Sequence, residues 1–154
     1  MSAAVIEAFY DAFSKRDAEG MVKHYADDVR FSDPVFQDLK GDDAKNMWRM
    51  LCERGKDLEV VASDVTENSA HWDATYTFAL TRRKVLNRID AKFTFEGDKI
   101  KTHTDAFDLY AWTRMAFGVT GVLLGWTGFF QSTLRKKALA GLVAFERENR
   151  HDRA

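Results

Sequence analysis

Cysteine and proline are both scarce in this chain: Cys52 and Pro34 are the only residues of their kinds among 154. A single cysteine excludes an internal disulfide and any zinc site built from cysteine ligands. Charge is balanced, with 23 basic and 24 acidic side chains and a formal net charge of −1. Nucleic-acid binding needs a clustered basic surface, so we expect no nucleic-acid partner. The carboxylate of Glu7 comes too early for a secretory signal, so the sequence predicts a cytoplasmic protein.

Charged residues are missing from residues 115–134, a strongly apolar segment. Its length matches the roughly 20 residues that a membrane-spanning helix needs. Gly118, Gly121, Gly125 and Gly128 divide the segment into short pieces. We therefore favour a lid, a subunit interface, or a contact with a membrane surface or partner protein over a membrane-spanning helix.

Helical spacing of apolar residues is present near the start of the chain. This spacing predicts three helices. The first covers residues 2–15, and the second is capped by Asp17. The third is capped by Asp42 or Asp43 and ends at Gly55.

Strand patterns dominate the middle of the chain. Residues 29–33 alternate between polar and apolar and stop at Pro34. Further alternating segments follow with polar turns between them, at 58–67, 71–81, 87–96 and 99–108. Such short connections favour antiparallel neighbours. After Tyr110 the pattern becomes helical again, so the sequence predicts an α+β domain with helices on one face of a sheet.

The last strand carries ionisable groups on alternate residues. Because side chains alternate faces along a strand, His103, Asp105 and Phe107 point to the same side. A strand that only packs rarely directs an imidazole and a carboxylate to one side, so this face either contacts bulk water or lines a polar cavity. His103 either tunes the pKa of Asp105 or takes part in proton transfer.

The strand predicted at 71–81 leaves two orientations open. Trp72 and Tyr76 share one face, and Asp73 and Thr75 share the other. One orientation buries the aromatic face in the core. The other turns Asp73 toward a cavity and places the aromatic side chains in a dimer interface.

Several short motifs resemble those of one superfamily. They are Tyr25-Ala-Asp-Asp-Val29, Phe31-Ser-Asp-Pro34, Gly41, Gly97-Asp-Lys-Ile100 and His103-Thr-Asp-Ala-Phe-Asp108. Together they resemble the nuclear transport factor 2-like superfamily, which includes SnoaL-like, ketosteroid isomerase-like and limonene-epoxide hydrolase-like proteins.

The resemblance implies a cone-shaped, cystatin-like roll, in which three N-terminal helices pack on a curved, mostly antiparallel sheet. It implies a domain over residues 1–110 and an apolar, Gly-rich helical extension over residues 111–154 that packs on the same domain. The apolar run in this extension is similar to that of a bacterial subgroup. The resemblance also implies a homodimer formed through the sheet.

The resemblance assigns catalytic roles unevenly. Asp105 takes the place of the catalytic aspartate on the last strand of SnoaL-type cyclases and epoxide hydrolases, and His103 stands beside it as an assisting group. Asp33 takes the place of the proton-shuttling base of ketosteroid isomerases. Their oxyanion-hole tyrosine and aspartic acid fall on Phe9 and near Ala91, so steroid isomerase activity is not expected.

We therefore expect a mostly apolar pocket for a hydrophobic small molecule that bears a carbonyl, hydroxyl or epoxide group. The predicted catalytic residues are Asp105, His103 and Asp33, and the predicted substrate contacts are Phe9, Phe13, Met47, Trp48, Asp73 and Phe107. No cofactor and no metal are expected, because no helical or loop ligand motif is present. Two functions stay open: a cofactor-free acid–base enzyme of the isomerase, cyclase or hydrolase type, and a non-catalytic module that binds a lipid-like ligand or associates with a membrane or partner.

Overall fold

The computed structural model describes residues 2–152. Helices and strands follow in the order α1 (Ser2–Ser14), α2 (Ala18–Val22), β1 (Tyr25–Ser32), β2 (Leu39–Lys40), α3 (Asp42–Arg54), β3 (Glu59–Ser63), β4 (Ser69–Thr77), β5 (Lys84–Glu96), β6 (Lys99–Ala106), α4 (Leu109–Phe117), α5 (Val119–Leu124) and α6 (Gly128–Asp152). The predicted α+β class, with three N-terminal helices, a curved sheet and a helical tail, is confirmed.

The strands form one six-stranded sheet in the order β2-β1-β6-β5-β4-β3. All neighbours are antiparallel except β1 and β6, which run parallel. The long strand β5 pairs with both β4 and β6, so it places Ala91 opposite Asp105 and Phe93 opposite His103. The residues of the last strand are therefore held near the centre of the sheet.

Burial alternates along β5, as expected for a sheet with one covered face. Ile89 and Phe93 are buried, whereas Arg88 and Asp90 are exposed. The covered face packs against α1 and α3, where the largest fully buried side chains include Trp48. The protein core therefore lies between this face of the sheet and the helices.

The predicted cap of the second helix is confirmed, whereas that of the third is wrong. The Asp17 side chain accepts a hydrogen bond from the Gly20 backbone N–H at 3.0 Å. In α3, both candidate aspartates lie in the first turn, and Gly41 is the N-cap with a φ of 53°. A Cβ at that position would lie 3.1 Å from the Asp27 carbonyl oxygen, so positive φ and a close backbone both favour glycine.

Strand β4 ends four residues earlier than the pattern predicted. The Phe78 N–H donates to the Arg83 carbonyl at 2.8 Å, and Arg82 has a φ of 61°. The chain therefore turns here, which leaves Leu80 exposed at the tip of the β4–β5 hairpin.

The C-terminal helices pack on the rest of the chain. Trp112 and Ala116 of α4 form a second apolar cluster with Val85, while Leu142 and Phe145 of α6 join the main core. Over residues 2–152, no helix is long and apolar enough to cross a membrane.

Two of the glycines in the apolar run allow α5 to pack closely against α4. A Cβ at Gly121 would lie 2.0 Å from the Thr113 carbonyl oxygen, and one at Gly125 would lie 2.0 Å from Thr113 Oγ1. The glycine spacing therefore reflects helix packing within this protein.

Candidate active site

A cavity of about 550 Å³ lies between the covered face of the sheet, α3 and the C-terminal helices. Its walls are mostly apolar and include Trp48, Trp72, Ile89, Phe107 and Trp112. A cavity of this size and character accommodates a small hydrophobic molecule.

The polar side chains that interrupt the apolar lining include Asp33, Tyr76, Asn87 and Asp105. Two of them carry carboxyl groups, and both carboxyl groups reach the same cavity. A ligand within it therefore meets a small number of polar groups that can fix its orientation or exchange protons with it.

A chain of hydrogen bonds supports Asp105 from behind. Trp48 Nε1–H donates to Tyr25 Oη at 2.7 Å, and Tyr25 Oη lies 2.7 Å from His103 Nδ1. His103 Nε2 lies 2.8 Å from Asp105 Oδ1, which also accepts a longer hydrogen bond of 3.4 Å from Trp72 Nε1–H. The position of the carboxylate is therefore set by three strands, β1, β4 and β6, and by helix α3.

One placement of protons satisfies the whole chain. Trp48 is only a donor, so Tyr25 Oη accepts from it and directs its own proton to His103 Nδ1. In this arrangement Nε2 of His103 carries a proton and donates to Asp105 Oδ1. Burial raises the pKa of Tyr25 well above its usual value, so this hydroxyl keeps its proton at physiological pH.

His103 is fully buried and does not line the cavity. Its ring packs 4.3 Å from the centroid of Phe93 and 5.0 Å from that of Phe31, and it is stacked on Trp48. Of the two roles left open for His103, the geometry favours the one in which it supports Asp105. The imidazole holds the Asp105 carboxylate in place, which makes it a positioning residue.

Asp33 follows β1 in a tight turn. Its Oδ1 accepts hydrogen bonds from the backbone N–H groups of Val35 at 2.7 Å and Phe36 at 2.6 Å. The second carboxyl oxygen makes no hydrogen bond within the part of the chain that the structure describes. The sequence after β1 therefore folds into a turn that fixes one oxygen and leaves the other available to a ligand.

Burial, with a smaller contribution from the nearby charge of Asp105, raises the pKa of Asp33 to about 7, although the two backbone hydrogen bonds oppose the shift. Asp33 is therefore present in both protonated and ionised forms near neutral pH. This electrostatic effect indicates that the two carboxyl groups interact across the cavity.

Tyr76 and Asn87 are polar lining residues that the sequence did not predict. Tyr76 Oη accepts a hydrogen bond of 2.6 Å from Trp112 Nε1–H. Burial raises the pKa of Tyr76, and the Asp33 carboxylate adds to the shift. Asn87 shares the inward face of β5 with Ile89, so the alternation of that strand is the signal that would have identified it.

The predicted site residues divide into those that line the cavity and those that do not. Those that line the cavity are Asp33, Asp105, Phe13, Met47, Trp48 and Phe107. Phe9 is fully buried behind the cavity, where its ring stacks on Tyr25 with centroids 5.5 Å apart, so the predicted contact with a ligand is wrong.

Asp73 lies on the opposite face of the sheet from the cavity, so its predicted substrate contact is wrong. Its Oδ1 is 2.8 Å from His71 Nε2, and His71 Nδ1 is 2.9 Å from Asp90 Oδ1. Strand alternation turns Trp72 and Ala74 inward instead. Of the two orientations open for this strand, the structure has the one with aromatic side chains in the core. No group of three or more metal-ligating side chains occurs among residues 2–152.

The fold and cavity together define a cone-shaped α+β domain built around a small-molecule pocket. Residues 6–103 match the model of the SnoaL-like domain, and the chain belongs to this family. The family assignment agrees with the motifs that run from β1 to β6.

Solved structures share this fold. A nuclear transport factor 2-like protein of unknown function from Burkholderia pseudomallei is 18% identical, with a TM-score of 0.61 over 76% of this chain and 98% of that chain. An LEH-like epoxide hydrolase from M. tuberculosis is 17% identical, with a TM-score of 0.60 over 80% of this chain and 96% of that chain.

A protein from Xanthomonas campestris that is proposed to be a polyketide cyclase is 17% identical, with a TM-score of 0.57 over 75% of this chain and 96% of that chain. A search of curated proteins gives no match. At these identities the structures establish a common fold, and the chemistry must be argued from this chain's own residues.

Proposed function

We propose that the protein is a cofactor-free acid–base enzyme that acts on a hydrophobic small molecule bearing an epoxide, carbonyl or hydroxyl group. The observation that carries this proposal is that Asp33 and Asp105 reach one apolar cavity in different environments. Two carboxyl groups in different environments are the usual basis for dividing acid and base roles between them.

Asp105 acts as the general base. Its Oδ1 is occupied by the N–H donors of His103 and Trp72, so the other oxygen is the one that faces a ligand. Fixing the carboxylate in this way keeps the base oriented without a cost of reorganisation during the reaction.

Asp33 acts as the general acid. Because the pKa of Asp33 is about 7, a large fraction of the protein carries a proton on this carboxyl group at neutral pH. At that pH the proton is readily transferred. Since backbone N–H groups hold Oδ1, the protonated form presents its O–H from Oδ2 toward the cavity.

These roles give balanced reactions for the candidate substrates. In epoxide opening, Asp105 takes a proton from water, the water oxygen bonds to a ring carbon, the carbon–oxygen bond breaks, and the proton of Asp33 moves to the released oxygen. In enolisation, Asp105 takes a proton from the carbon beside a carbonyl group, while Asp33 protonates the carbonyl oxygen. The names of the structural neighbours, an epoxide hydrolase and a proposed polyketide cyclase, support chemistry of these two kinds.

A second candidate function is binding of a lipid-like ligand without turnover. The observation that favours it is the almost continuous apolar wall, to which α4 and α6 contribute Trp112, Phe130 and Leu134. In that case the carboxyl groups would only orient a polar head group.

The test begins with extraction and mass spectrometry of any small molecule that co-purifies with the protein. Turnover of that molecule and of a panel of hydrophobic epoxides and ketones is then compared for the natural chain, Asp105→Asn and Asp73→Asn. We expect Asp105→Asn to lower kcat by about 10²- to 10⁴-fold, because the general base is lost.

Asp73→Asn is the matched control, since it makes the same change on the opposite face of the sheet. It should leave turnover unchanged. Equal turnover by Asp105→Asn and the natural chain would remove Asp105 from the mechanism. Tight binding of the co-purified molecule with no turnover by the natural chain would favour the binding function.

A further inference from the structure

The C-terminal helices expose a group of large apolar side chains to solvent. These side chains lie on α5, on the following turn and on the first turn of α6. We call them the apolar tip, and they are Val119, Val122, Leu123, Leu124, Trp126 and Phe129. Trp126 is 67% exposed and Phe129 is 85% exposed. Contiguous exposure of this kind marks a surface that contacts something other than water.

The packing of α5 explains why these side chains face outward. Gly121 and Gly125 lie against Thr113 of α4, so the small residues form the inner face of the short helix. Tyr110 Oη donates to the Val122 carbonyl at 2.8 Å and holds the segment from the same side. The large apolar side chains are therefore left on the outer face.

Basic side chains are concentrated in the segments that carry or adjoin the apolar tip. Residues 78–84 and 109–145 hold seven of the 23 basic residues in the chain and none of its 24 acidic residues. Lys84 pairs with Asp57. The other six, Arg82, Arg83, Arg114, Arg135, Lys136 and Lys137, form no ion pair with any carboxylate of residues 2–150, and we call them the basic rim.

Contacts place Arg83 and Arg114 of the basic rim beside the apolar tip. Arg83 Nε–H donates to the Met115 carbonyl at 2.8 Å, and the Arg83 guanidinium lies next to Gly118, at the start of α5. The Arg114 guanidinium lies 4.9 Å from the centroid of the Tyr110 ring. Arg135 follows Phe129 by six residues of α6, which is about 9 Å along the helix axis.

The cavity lies directly behind the tip. Phe117 and Phe130 line the cavity and are near neighbours in sequence of the exposed residues Val119 and Phe129. Leu80 both lines the cavity and is 73% exposed beside this surface. Residues of the cavity wall and of the tip are therefore adjacent in sequence, which favours entry of a ligand from the side of the tip.

We propose that the apolar tip and basic rim dock this protein on the surface of an anionic phospholipid membrane. Apolar side chains, with a tryptophan among them, insert at the boundary between head groups and acyl chains, and cations at the level of the head groups pair with lipid phosphates. The charge pattern favours an anionic surface over a neutral partner, because the segments that carry the tip and rim hold basic residues and no acidic ones. The further statement that the cavity takes its ligand from the membrane rests on the proposed function.

The test is flotation of the purified full chain with vesicles. Phosphatidylcholine vesicles that contain about 30 mol% phosphatidylserine are compared with vesicles of phosphatidylcholine alone. We expect binding to the anionic vesicles, and a loss of about tenfold or more when NaCl is raised from about 0.1 M to about 0.5 M.

The double variant Trp126→Ser/Phe129→Ser removes two exposed side chains, so it should fold normally and lose binding by about tenfold or more. Val61→Ser is the matched control, since Val61 is 66% exposed on β3, away from the tip. It should bind as the natural chain does.

Tryptophan fluorescence gives a second readout. Trp48, Trp72 and Trp112 are buried, so quenching by brominated lipids reports on Trp126. We expect quenching in anionic vesicles, and its loss in Trp126→Phe together with retained flotation. Absence of vesicle binding, or equal binding by the double variant, would overturn the proposal.

A concentration-dependent dimer that the double variant abolishes in analytical ultracentrifugation would show that a second copy covers the tip, and would also overturn the proposal. Vesicle binding is measured without turnover. Its failure is therefore distinguishable from failure of the proposed function.

Discussion

Two strands of this sheet carry the same short pattern with opposite consequences. His71-Trp-Asp73 and His103-Thr-Asp105 each place an imidazole two residues before a carboxylate, and in both pairs Nε2 lies 2.8 Å from Oδ1. The first pair lies on the outer face with side chains 29% and 40% exposed, and the second is 0% and 2% exposed beside the cavity.

The comparison shows that local geometry is shared while environment differs. On the outer face, water screens the pair, and the adjacent carboxylates of Asp90 and Asp73 raise the pKa of His71. At the cavity, Tyr25 replaces the second carboxylate as the partner of the imidazole. The buried imidazole is therefore held between one hydroxyl group and one carboxylate oxygen.

The largest expected difference concerns stability. His103→Ala leaves the Tyr25 hydroxyl and one oxygen of Asp105 without a buried partner and opens a void among aromatic rings. We expect it to lower the free energy of unfolding by about 3–4 kcal/mol. His71→Ala should change that free energy by about 0.5 kcal/mol or less, since the pair is exposed to solvent. Urea denaturation measures both values.

His103→Gln serves as a second variant in case His103→Ala does not fold. Its amide N–H can still donate to Asp105, so the loss of stability should lie between those of the other two variants. Similar losses from substitution at position 71 and at position 103 would contradict the contrast between the two pairs.

A smaller effect is expected from Asp33. Its pKa is raised from 3.8 to about 7 in the folded protein, so between these values the folded state binds more protons than the unfolded state. Its contribution to stability is therefore favourable at low pH, and it falls as pH rises through this window. Asp33→Asn keeps an oxygen acceptor for the turn and removes the charge, so it should gain stability relative to the natural chain as pH rises.

Thermal unfolding at pH values on both sides of this window measures the effect. The expected gain grows as pH rises and levels off above about 7. A constant difference between Asp33→Asn and the natural chain at all pH values would contradict the shifted pKa.

The fold and part of the site could be predicted from the sequence because they depend on interactions between residues that are close in sequence. Alternation along the last strand placed His103 and Asp105 on one face, and the turn chemistry around Pro34 located Asp33. These features depend on neighbours in sequence. They could be predicted without a structure.

The missed features depend on contacts between distant residues. The Tyr25–His103 hydrogen bond joins residues 78 positions apart, and no local pattern predicts it. The orientation of β4 was also open, because alternation is symmetrical and only packing against α1 and α3 decides which face is buried. This is why Asp73 was predicted in the cavity and is found outside it.

The central claim is that Asp33 and Asp105 share one cavity closely enough for the charge of Asp105 to raise the pKa of Asp33. Carbon-13 NMR titration of the Asp33 carboxyl group tests it without any substrate. We expect a pKa of about 7 in the natural chain and in Asp73→Asn, and a lower pKa in Asp105→Asn, because the neighbouring negative charge is gone. A titration near the ordinary value of 3.8 that does not respond to Asp105→Asn would contradict the account.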